Sequence, residues 1–267
     1  GVRYGSVVVM WTDESGRDGS GEGVYGQRYD ASGNAIGDEF RVNTLTNSTQ
    51  DSVSVTALED GGFVAAWYSG NNNDLRGQRF DADGTPSGSE FVVADANYSP
   101  SQPSITGLKD GGFVTTWTTG STSPWDGDGY SVYGQRFDVD GEMIGEELLV
   151  NTNVSGEQYD PAIVAHGDGF AVAWYDSDGS NDGQGGSSND IFVKTFTTTD
   201  ASSNPVDTPI VDADEVLVNT YTSGSQYDPA ITSLSDGGFV VTWRDDKGSS
   251  HDGGNGVDVF GQRFDAA

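Results

Sequence analysis

The chain has no cysteine, two histidines, two methionines and only twelve basic residues among 267. A domain of this size can fold without disulfides, so the lack of cysteine does not decide the redox compartment. His166 and His251 stand at different positions of the repeat described below, so neither a histidine-based triad nor a zinc site is supported. No run approaches the ~18 apolar residues of a transmembrane helix. No phosphate-binding or dinucleotide-binding glycine motif is present.

Acidic residues outnumber basic ones by 42 to 12, which gives a formal net charge of −30. Nucleic acids and anionic membrane surfaces are bound by clusters of Lys and Arg, so neither nucleic-acid binding nor membrane insertion is expected. The charge favours cations as partners, above all calcium. For many individual carboxylates, solubility through self-repulsion is an equally good interpretation.

A five-fold internal repeat dominates the sequence. The phrase Asp-Gly-Gly-Phe-Val-x-x-Trp occupies residues 60–67, 110–117 and 236–243, with looser copies at 4–11 and 168–174. A second phrase, Gly-Gln-Arg followed by an aromatic residue, occupies residues 26–29, 77–80, 134–137 and 261–264, and is degenerate at 193–196. Repeats of about 20–50 residues predict a solenoid, propeller or array. The approximate units are residues 1–45, 46–95, 96–152, 153–220 and 221–267.

Each unit is predicted to form four short strands, at residues 53–58, 63–68, 75–81 and 90–95 in the second unit. Asp-Gly and Gly-Gly between apolar runs indicate hairpins, and no helical periodicity is present. The second strand is apolar on both faces, so it needs a sheet above and below it. The sequence therefore predicts an all-β, five-bladed β-propeller as a single domain over residues 1–267, with an open stack of β-units as the alternative.

The two ends of the chain complicate closure of the ring. The first unit supplies strands two to four and the last unit strands one to three, so a simple one-strand exchange is not expected. Either residues 1–5 form an inner strand that closes the ring, or the chain lacks one. The third-strand arginines are predicted to pack or pair between blades: Arg28, Arg79, Arg136 and Arg263. The chain begins within a repeat, without Met or a basic-then-apolar leader, which indicates a piece of a longer protein.

Loops between the second and third strands combine Asp with Gly. Calcium takes six to eight oxygen ligands on a tightly turning chain, and Asp-Gly-rich loops supply them, although Asp-Gly also simply makes turns. Residues 253–260 fit the calcium-binding nonapeptide of RTX proteins once. The candidate calcium ligands are Asp13, Asp18, Asp126, Asp128, Asp176, Asp178, Asp182, Asp252 and Asp258.

Loops between the fourth strand and the next first strand share a face with those Asp-rich loops. They offer amides, tyrosines and carboxylates at the mouth of the central channel. Trp125 lies outside the repeat pattern in a long loop of the same face, and an aromatic ring beside polar groups is typical of sugar recognition. The alternative, equally compatible with the sequence, is that Trp125 packs over the backbone of its own loop. The candidate ligand-binding residues are Trp125, Gln158, Tyr159, Asp160, Gln226, Tyr227 and Asp228.

Carboxylates near this mouth also permit a glycoside hydrolase, in which Asp51, Asp160 and Asp228 would be the candidates. Asp160 and Asp228 both stand in the sequence Gln-Tyr-Asp-Pro-Ala-Ile. A catalytic pair needs different environments to separate its pKa values, so this repetition favours a structural or multivalent role. No catalytic residue is assigned, and the chain is not expected to be an enzyme.

The unit Asp-Gly-Gly-Phe-Val-Val-Thr-Trp, followed by Val-Tyr-Gly-Gln-Arg-Phe-Asp and Gly-x-Glu-Phe-x-Val-Asn-Thr, resembles a repeat of large secreted bacterial proteins. Those proteins often carry RTX, cadherin-like or adhesin modules. The match covers nearly the whole chain except residues 197–214. It implies extracellular, calcium-rich surroundings and a binding role.

Taken together, these patterns predict a secreted or cell-surface, calcium-stabilised propeller. We expect it to bind a glycan or cell-surface ligand as a lectin-like or adhesion module. The alternatives are a glycoside hydrolase, and a structural or surface-layer spacer without a small ligand.

Overall fold

The computed structural model describes residues 6–120, 129–177, 189–222, 224–246 and 256–266. Within these ranges the chain forms antiparallel strands and one short 3-10 turn, Ala96–Tyr98. None of the helical structure there is long and apolar enough to span a membrane. The fold is all-β, a five-bladed β-propeller, as the repeat predicts.

Each repeat forms one antiparallel sheet, which we call a blade and number in chain order. Blade 1 contains β1 (Val7–Asp13), β2 (Gly23–Tyr29) and β3 (Ala35–Arg41). Blade 2 contains β4 (Gln50–Ala57), β5 (Phe63–Ser69), β6 (Asp74–Phe80) and β7 (Pro86–Ala94). Blade 3 contains β8 (Ser101–Gly107), β9 (Phe113–Thr118), β10 (Val132–Phe137) and β11 (Met143–Leu149). Blade 4 contains β12 (Gln158–His166), β13 (Gly169–Asp176), β14 (Asp190–Thr199) and β15 (Pro205–Leu217). Blade 5 contains β16 (Gln226–Ser233), β17 (Phe239–Asp245) and β18 (Asp258–Phe264).

The chain divides into two compact units. The first comprises Gly1–Thr115 and Gln135–Ile144, and the second comprises Thr116–Gly134 and Gly145–Ala267. Blades 1 and 2 belong to the first unit and blades 4 and 5 to the second. All contacts discussed below lie within one unit or the other.

The two repeat phrases place a pair of phenylalanines opposite each other on the second and third strands of a blade. Phe63 pairs with Phe80 in the β5–β6 register, and their rings stack with centroids 4.9 Å apart. The other pairs have centroid separations between 4.8 and 5.0 Å: Phe113–Phe137, Phe170–Phe196 and Phe239–Phe264. With the buried tryptophans, these pairs form the apolar core, which explains the constant four-residue spacing from Phe to Trp within the first phrase.

The repeat arginines are structural, as predicted, but most of them pair within their own blade. Arg79 binds Asp60 at 3.1 Å, and the same pairing joins Arg136 to Asp110 and Arg263 to Asp236. Arg28 instead donates to the backbone carbonyl of Asp83 in the next blade.

Within the described residues the ends follow the sequence prediction, since blades 1 and 5 each show three strands, which correspond to strands two to four and one to three of the repeat. Residues 1–5, which were considered for closure of the ring, lie outside the described residues. The predicted insertion at residues 197–214 lengthens the β14–β15 hairpin, in which Asp200 closes the turn by accepting from the backbone N–H of Asn204.

Candidate functional site

A buried amide network fixes the loops that lead into β12 and β16. Asn151 accepts a hydrogen bond from the backbone N–H of Val132 and donates to Gln158 at 3.0 Å. Asn219 likewise accepts from Ile191 and donates to Gln226 at 3.1 Å. Gln158 and Gln226, both predicted to contact a ligand, have no exposed surface. In this structure their side chains instead hydrogen-bond within the protein and so fix the backbone of the residues that follow them.

A β-bulge follows each of these glutamines. The register shifts between Tyr159 and Ala162 in blade 4 and between Tyr227 and Ala230 in blade 5. Asp160 and Asp228 occupy these bulges with φ of 51° and 52°. A bulge breaks the ladder and re-aims one side chain, which is why bulges recur beside functional sites. A non-glycine residue at positive φ costs about 1–3 kcal/mol, so the surrounding network must hold it there.

The same backbone conformation recurs in other blades with different side chains. Ser52 has φ of 54° at this position of blade 2, and Gln102 has φ of 54° in blade 3. Asp51, grouped with Asp160 by the sequence analysis, lies one residue earlier and pairs with Tyr68, as Tyr159 pairs with Tyr175. Asp51 is therefore not the equivalent of Asp160. Among these four bulge positions, only those of blades 4 and 5 carry a carboxylate.

Three tyrosines form an aromatic cluster beside Asp160. The ring of Tyr159 lies 4.8 Å from that of Tyr130 and 5.3 Å from that of Tyr175. The Tyr159 hydroxyl donates to Glu157 at 2.6 Å. Burial, and then the Glu157 carboxylate, raise the pKa of Tyr159 far above its usual value. Burial and the carboxylates of Asp160, Asp228 and Glu157 raise the pKa of Tyr175 to about 12.

The two bulge carboxylates have different surroundings. Asp160 is half-buried, and both its burial and the charge of Asp228 raise its pKa. Asp228 is 49% exposed and accepts a 2.5 Å hydrogen bond from Arg244. Arg244 also lies over the ring of Tyr227, 4.8 Å from its centroid. The inference that identical local sequence gives the two carboxylates equivalent environments is wrong.

The difference comes from the neighbouring strand, which a comparison of the two hexapeptides does not include. Tyr175 of β13 pairs with Tyr159 of β12, whereas Arg244 of β17 pairs with Tyr227 of β16. Four residues of the site were missed by sequence reasoning: Tyr130, Glu157, Tyr175 and Arg244. A usable signal existed, because the residue directly after each repeat tryptophan varies within an otherwise regular phrase: Thr12, Tyr68, Thr118, Tyr175 and Arg244.

The predicted calcium ligands that the structure describes do not form one site. Asp13 binds Arg17 at 3.0 Å, and Asp18 accepts from the backbone N–H of Ser20. Asp176 is 2% exposed and accepts from Asn153, and Asp258 pairs with Asp245 across β17 and β18. Across residues 6–120, 129–177, 189–222, 224–246 and 256–266, no group of three or more His, Cys, Asp or Glu is placed to hold a metal.

The other candidates from the sequence lie outside the described residues. They are Trp125, Asp126, Asp128, Asp178, Asp182 and Asp252.

No family model matches this sequence, and no curated protein matches it. Among solved structures, the chain is similar to the NanB sialidase of Streptococcus pneumoniae in a complex with 2-[(3-chlorobenzyl)ammonio]ethanesulfonate. That match has a TM-score of 0.58 and 12% identity, and covers 92% of this chain and 36% of the sialidase. A leech intramolecular trans-sialidase matches with a TM-score of 0.54 and 11% identity, over 91% of this chain and 36% of the enzyme. The chain thus spans little more than a third of either enzyme.

These neighbours correct the functional prediction. A lectin-like or adhesion module without enzymatic activity was expected, with a glycoside hydrolase as an alternative. Because the similar structures are a sialidase and a trans-sialidase, the main prediction and the expectation of no enzyme are wrong, and the alternative is favoured. At 11–12% identity the likeness itself shows the fold, so residue roles must come from this chain's own geometry.

Proposed function

We propose that this chain is a propeller domain of a glycoside hydrolase whose active site lies at the starts of β12 and β16. The observation that supports this proposal best is the pair Asp160 and Asp228. They occupy equivalent bulge positions in blades 4 and 5 but differ in burial and in the charged group nearby. Glycoside hydrolysis commonly uses two carboxyl groups, one protonated and one ionised. Environments that push two pKa values apart identify which group takes which role.

Asp160 is the proposed general acid. Its raised pKa keeps a proton on the carboxyl group to a higher pH than in water, and that proton passes to the glycosidic oxygen as the bond to the sugar breaks. Asp228 is the proposed anionic partner and is paired with Arg244. It either stabilises the positive charge that develops on the sugar or takes a proton from the water that attacks the sugar.

The site favours an uncharged sugar. Tyr130, Tyr159 and Tyr175 offer the flat apolar faces on which sugar rings stack. Their neighbours Glu157, Asp160 and Asp228 repel a substrate that carries a carboxylate. Arg244 is the one cation among the described residues of the site, and Asp228 binds it. We therefore propose a neutral glycan as substrate, in contrast to the sialic-acid-directed enzymes that share the fold.

The test is a screen of the purified chain against 4-nitrophenyl glycosides of neutral furanoses and pyranoses in both anomeric forms, with a 4-nitrophenyl sialoside alongside. We expect release of 4-nitrophenol from at least one neutral glycoside, and none from that substrate with Asp160→Asn. No release from any neutral glycoside, or equal release by the variant, would remove the assignment. Cleavage of the sialoside alone would overturn the choice of a neutral substrate.

Replacing Tyr159 with phenylalanine separates two roles for the Tyr159–Glu157 pair. Some sialidases use a tyrosine nucleophile, and Glu157 is placed to take the phenolic proton. The raised pKa of Tyr159 argues against a ready phenolate, so we expect a positioning role. Without this hydrogen bond the ring is held less firmly against the sugar, so kcat/KM should fall by about tenfold at most, mainly through KM. A loss of kcat as large as that of Asp160→Asn would make Tyr159 the nucleophile.

We further propose that calcium stabilises the protein, in keeping with an extracellular location. Asp176 pairs with Asp190 across β13 and β14, and each is 2% exposed. Two facing carboxylates with amide neighbours are the oxygen donors that a hard cation prefers. They stand next to the Asp-Gly-rich loop that follows β13.

Calcium at about 2 mM is expected to raise the Tm by roughly 5–10 °C over EGTA, as binding at about 100 times Kd contributes about 2.7 kcal/mol. Thermal unfolding followed by tryptophan fluorescence measures this. Magnesium at the same concentration is the control for ionic strength, and Asp176→Asn should reduce the calcium shift. An identical Tm in calcium and EGTA would contradict the proposal.

A further inference from the structure

A cavity lies in the second unit, away from Asp160 and Asp228. It has a volume of about 310 Å³ and opens between blades 4 and 5. His166, the last residue of β12, lines it, whereas Asp160 stands near the start of that strand. Six residues of extended chain span about 20 Å. The cavity is therefore separate from the proposed active site.

At the cavity, blade 4 lacks an aromatic residue that blades 1 and 2 supply at the same repeat position. In the first unit, Phe40 packs on the Phe63–Phe80 pair of the following blade, with centroids 6.2 and 5.5 Å away. Phe91 covers Phe113–Phe137 in the same way at 6.1 and 5.6 Å. The position after the outer-strand glutamate, held by these phenylalanines, is Val216 in blade 4. Val216 lines the cavity, as do Phe239 and Phe264.

A second bulky side chain is missing from the same place. In blades 1 and 2 the third-strand arginine reaches the turn of the following blade. Arg28 donates to the Asp83 carbonyl and its aliphatic carbons lie beside Gly84, and those of Arg79 lie beside Gly141. Blade 4 has Thr195 at this position, and Thr195 lines the cavity. Val193 replaces the repeat glycine and also lines the cavity.

The lining combines two aromatic rings with an excess of negative charge. Phe239 and Phe264 stack at 4.8 Å, and His166 meets Phe239 edge-on at 5.1 Å. Asp212 and Asp214 flank Ala213, the residue that pairs with Thr195 across β14 and β15. Asp265, which also binds Arg263 at 3.4 Å, adds a third carboxylate.

One cation, Lys194, also lines the cavity; it interacts electrostatically with Asp214 and Glu215, but its hydrogen bonds go to other groups. It is 7% exposed, and its ammonium donates to the Val150 carbonyl at 3.0 Å and to the Thr152 hydroxyl at 2.9 Å. The cavity thus presents three carboxylates against one ammonium whose hydrogens are largely committed. A cation with an apolar stem is the complementary occupant.

We propose that this cavity binds an arginine side chain of a partner polypeptide. The aliphatic stem and the guanidinium face pack on Phe239 and Phe264, and the guanidinium donates to Asp212 and Asp214. The incoming side chain takes the place that the chain's own arginine takes next to other blades. This interaction goes beyond the proposed hydrolase activity and does not depend on it.

The first experiment is calorimetric titration of the full chain with Nα-acetyl-L-argininamide at low salt. The matched control ligand is the citrulline analogue, which has the same length and shape without the charge. We expect the arginine compound to bind at least about tenfold more tightly, as charge-assisted hydrogen bonds require. Equal affinity for the two ligands, or no heat with the arginine compound at millimolar concentration, would overturn the proposal.

Variants locate the binding. Thr195→Arg restores the residue found in the other four repeats and should abolish binding by filling the cavity from within. Asp212→Asn with Asp214→Asn should weaken binding about tenfold without a packing change, because both side chains are exposed. Asp207→Asn, on the same strand but outside the lining, should bind like the wild type. Unchanged affinity in both cavity variants would overturn the assignment even if the ligand binds elsewhere.

Discussion

Replacing Asp160 with asparagine is expected to lower kcat/KM for glycoside cleavage by about 10²–10⁴-fold, the usual contribution of a general acid. Asparagine keeps the size of the side chain and tolerates positive φ, so the bulge at 51° should persist. The amide cannot transfer a proton to the glycosidic oxygen. Initial rates on the substrate found by the glycoside screen measure the effect.

The pH profile gives a second signature of the same group. Burial and the charge of Asp228 raise the pKa of Asp160, so its protonated form is favoured in the folded protein. Activity that needs this proton should fall as the pH rises through the folded pKa. Because the pKa of Asp160 is higher in the folded than in the unfolded protein, the contribution of its neutral carboxyl to folding stability is fully present below the unfolded-state pKa. That contribution is lost as the pH rises through the folded-state pKa. At neutral pH, Asp160→Asn should therefore keep or raise the Tm while turnover falls by the factor given above.

Two companion variants control for the backbone and for the partner carboxylate. Ser52→Asn makes the same residue at the same positive φ in blade 2, and it should leave activity unchanged. Asp228→Asn should also remove most activity, with a loss in kcat rather than in KM. Full activity in Asp160→Asn, or a lowered Tm without a change in rate, would make Asp160 a structural residue and end the two-carboxylate mechanism.

Replacing Trp174 with alanine is expected to cost about 3–5 kcal/mol of unfolding free energy, the range for large buried aromatic residues. Trp174 has no exposed surface and its ring lies 6.3 Å from that of Phe192. Trp174 is among the largest fully buried side chains, so its removal leaves a large cavity in the packed interior. The next residue is Tyr175 of the candidate site, so the lost packing should also reduce glycan cleavage.

Chemical denaturation followed by circular dichroism measures this change. Val211→Ala is the matched control, since Val211 lies in the same blade and is 44% exposed, and its effect should stay within about 0.5 kcal/mol. A loss below about 1 kcal/mol for Trp174→Ala would contradict the view that the repeat tryptophan closes the core of blade 4.

The fold was predictable because its determinants are local and repeated. The phenylalanines of the two phrases face each other on adjacent strands, and the tryptophan ends the same buried strand. A period-2 pattern with glycine turns leaves few other structures open. The strand content of the incomplete first and last repeats also followed from counting strands in each repeat.

The site was only partly predictable because its chemistry depends on pairing across strands. The position of Asp160 and Asp228 could be inferred from the loop order, but their environments are set by Tyr175 and Arg244, about 15 residues further along the chain. The sequence analysis compared Asp160 and Asp228 within their own hexapeptides and concluded that they were alike. Their environments differ because the strand register places a different residue opposite each hexapeptide, and a comparison of the hexapeptides alone does not include that residue.

The positive-φ bulge at the start of the inner strand has an evolutionary consequence. Ser52, Gln102, Asp160 and Asp228 occupy one backbone geometry with three kinds of side chain, and each blade keeps its strands. Duplication of the repeat thus produced several copies of a position at which substitution is structurally inexpensive. A chain of this kind can gain, lose or move a reactive group by single mutations, because the buried aromatic residues of each copy, and not the bulge side chain, stabilise the fold.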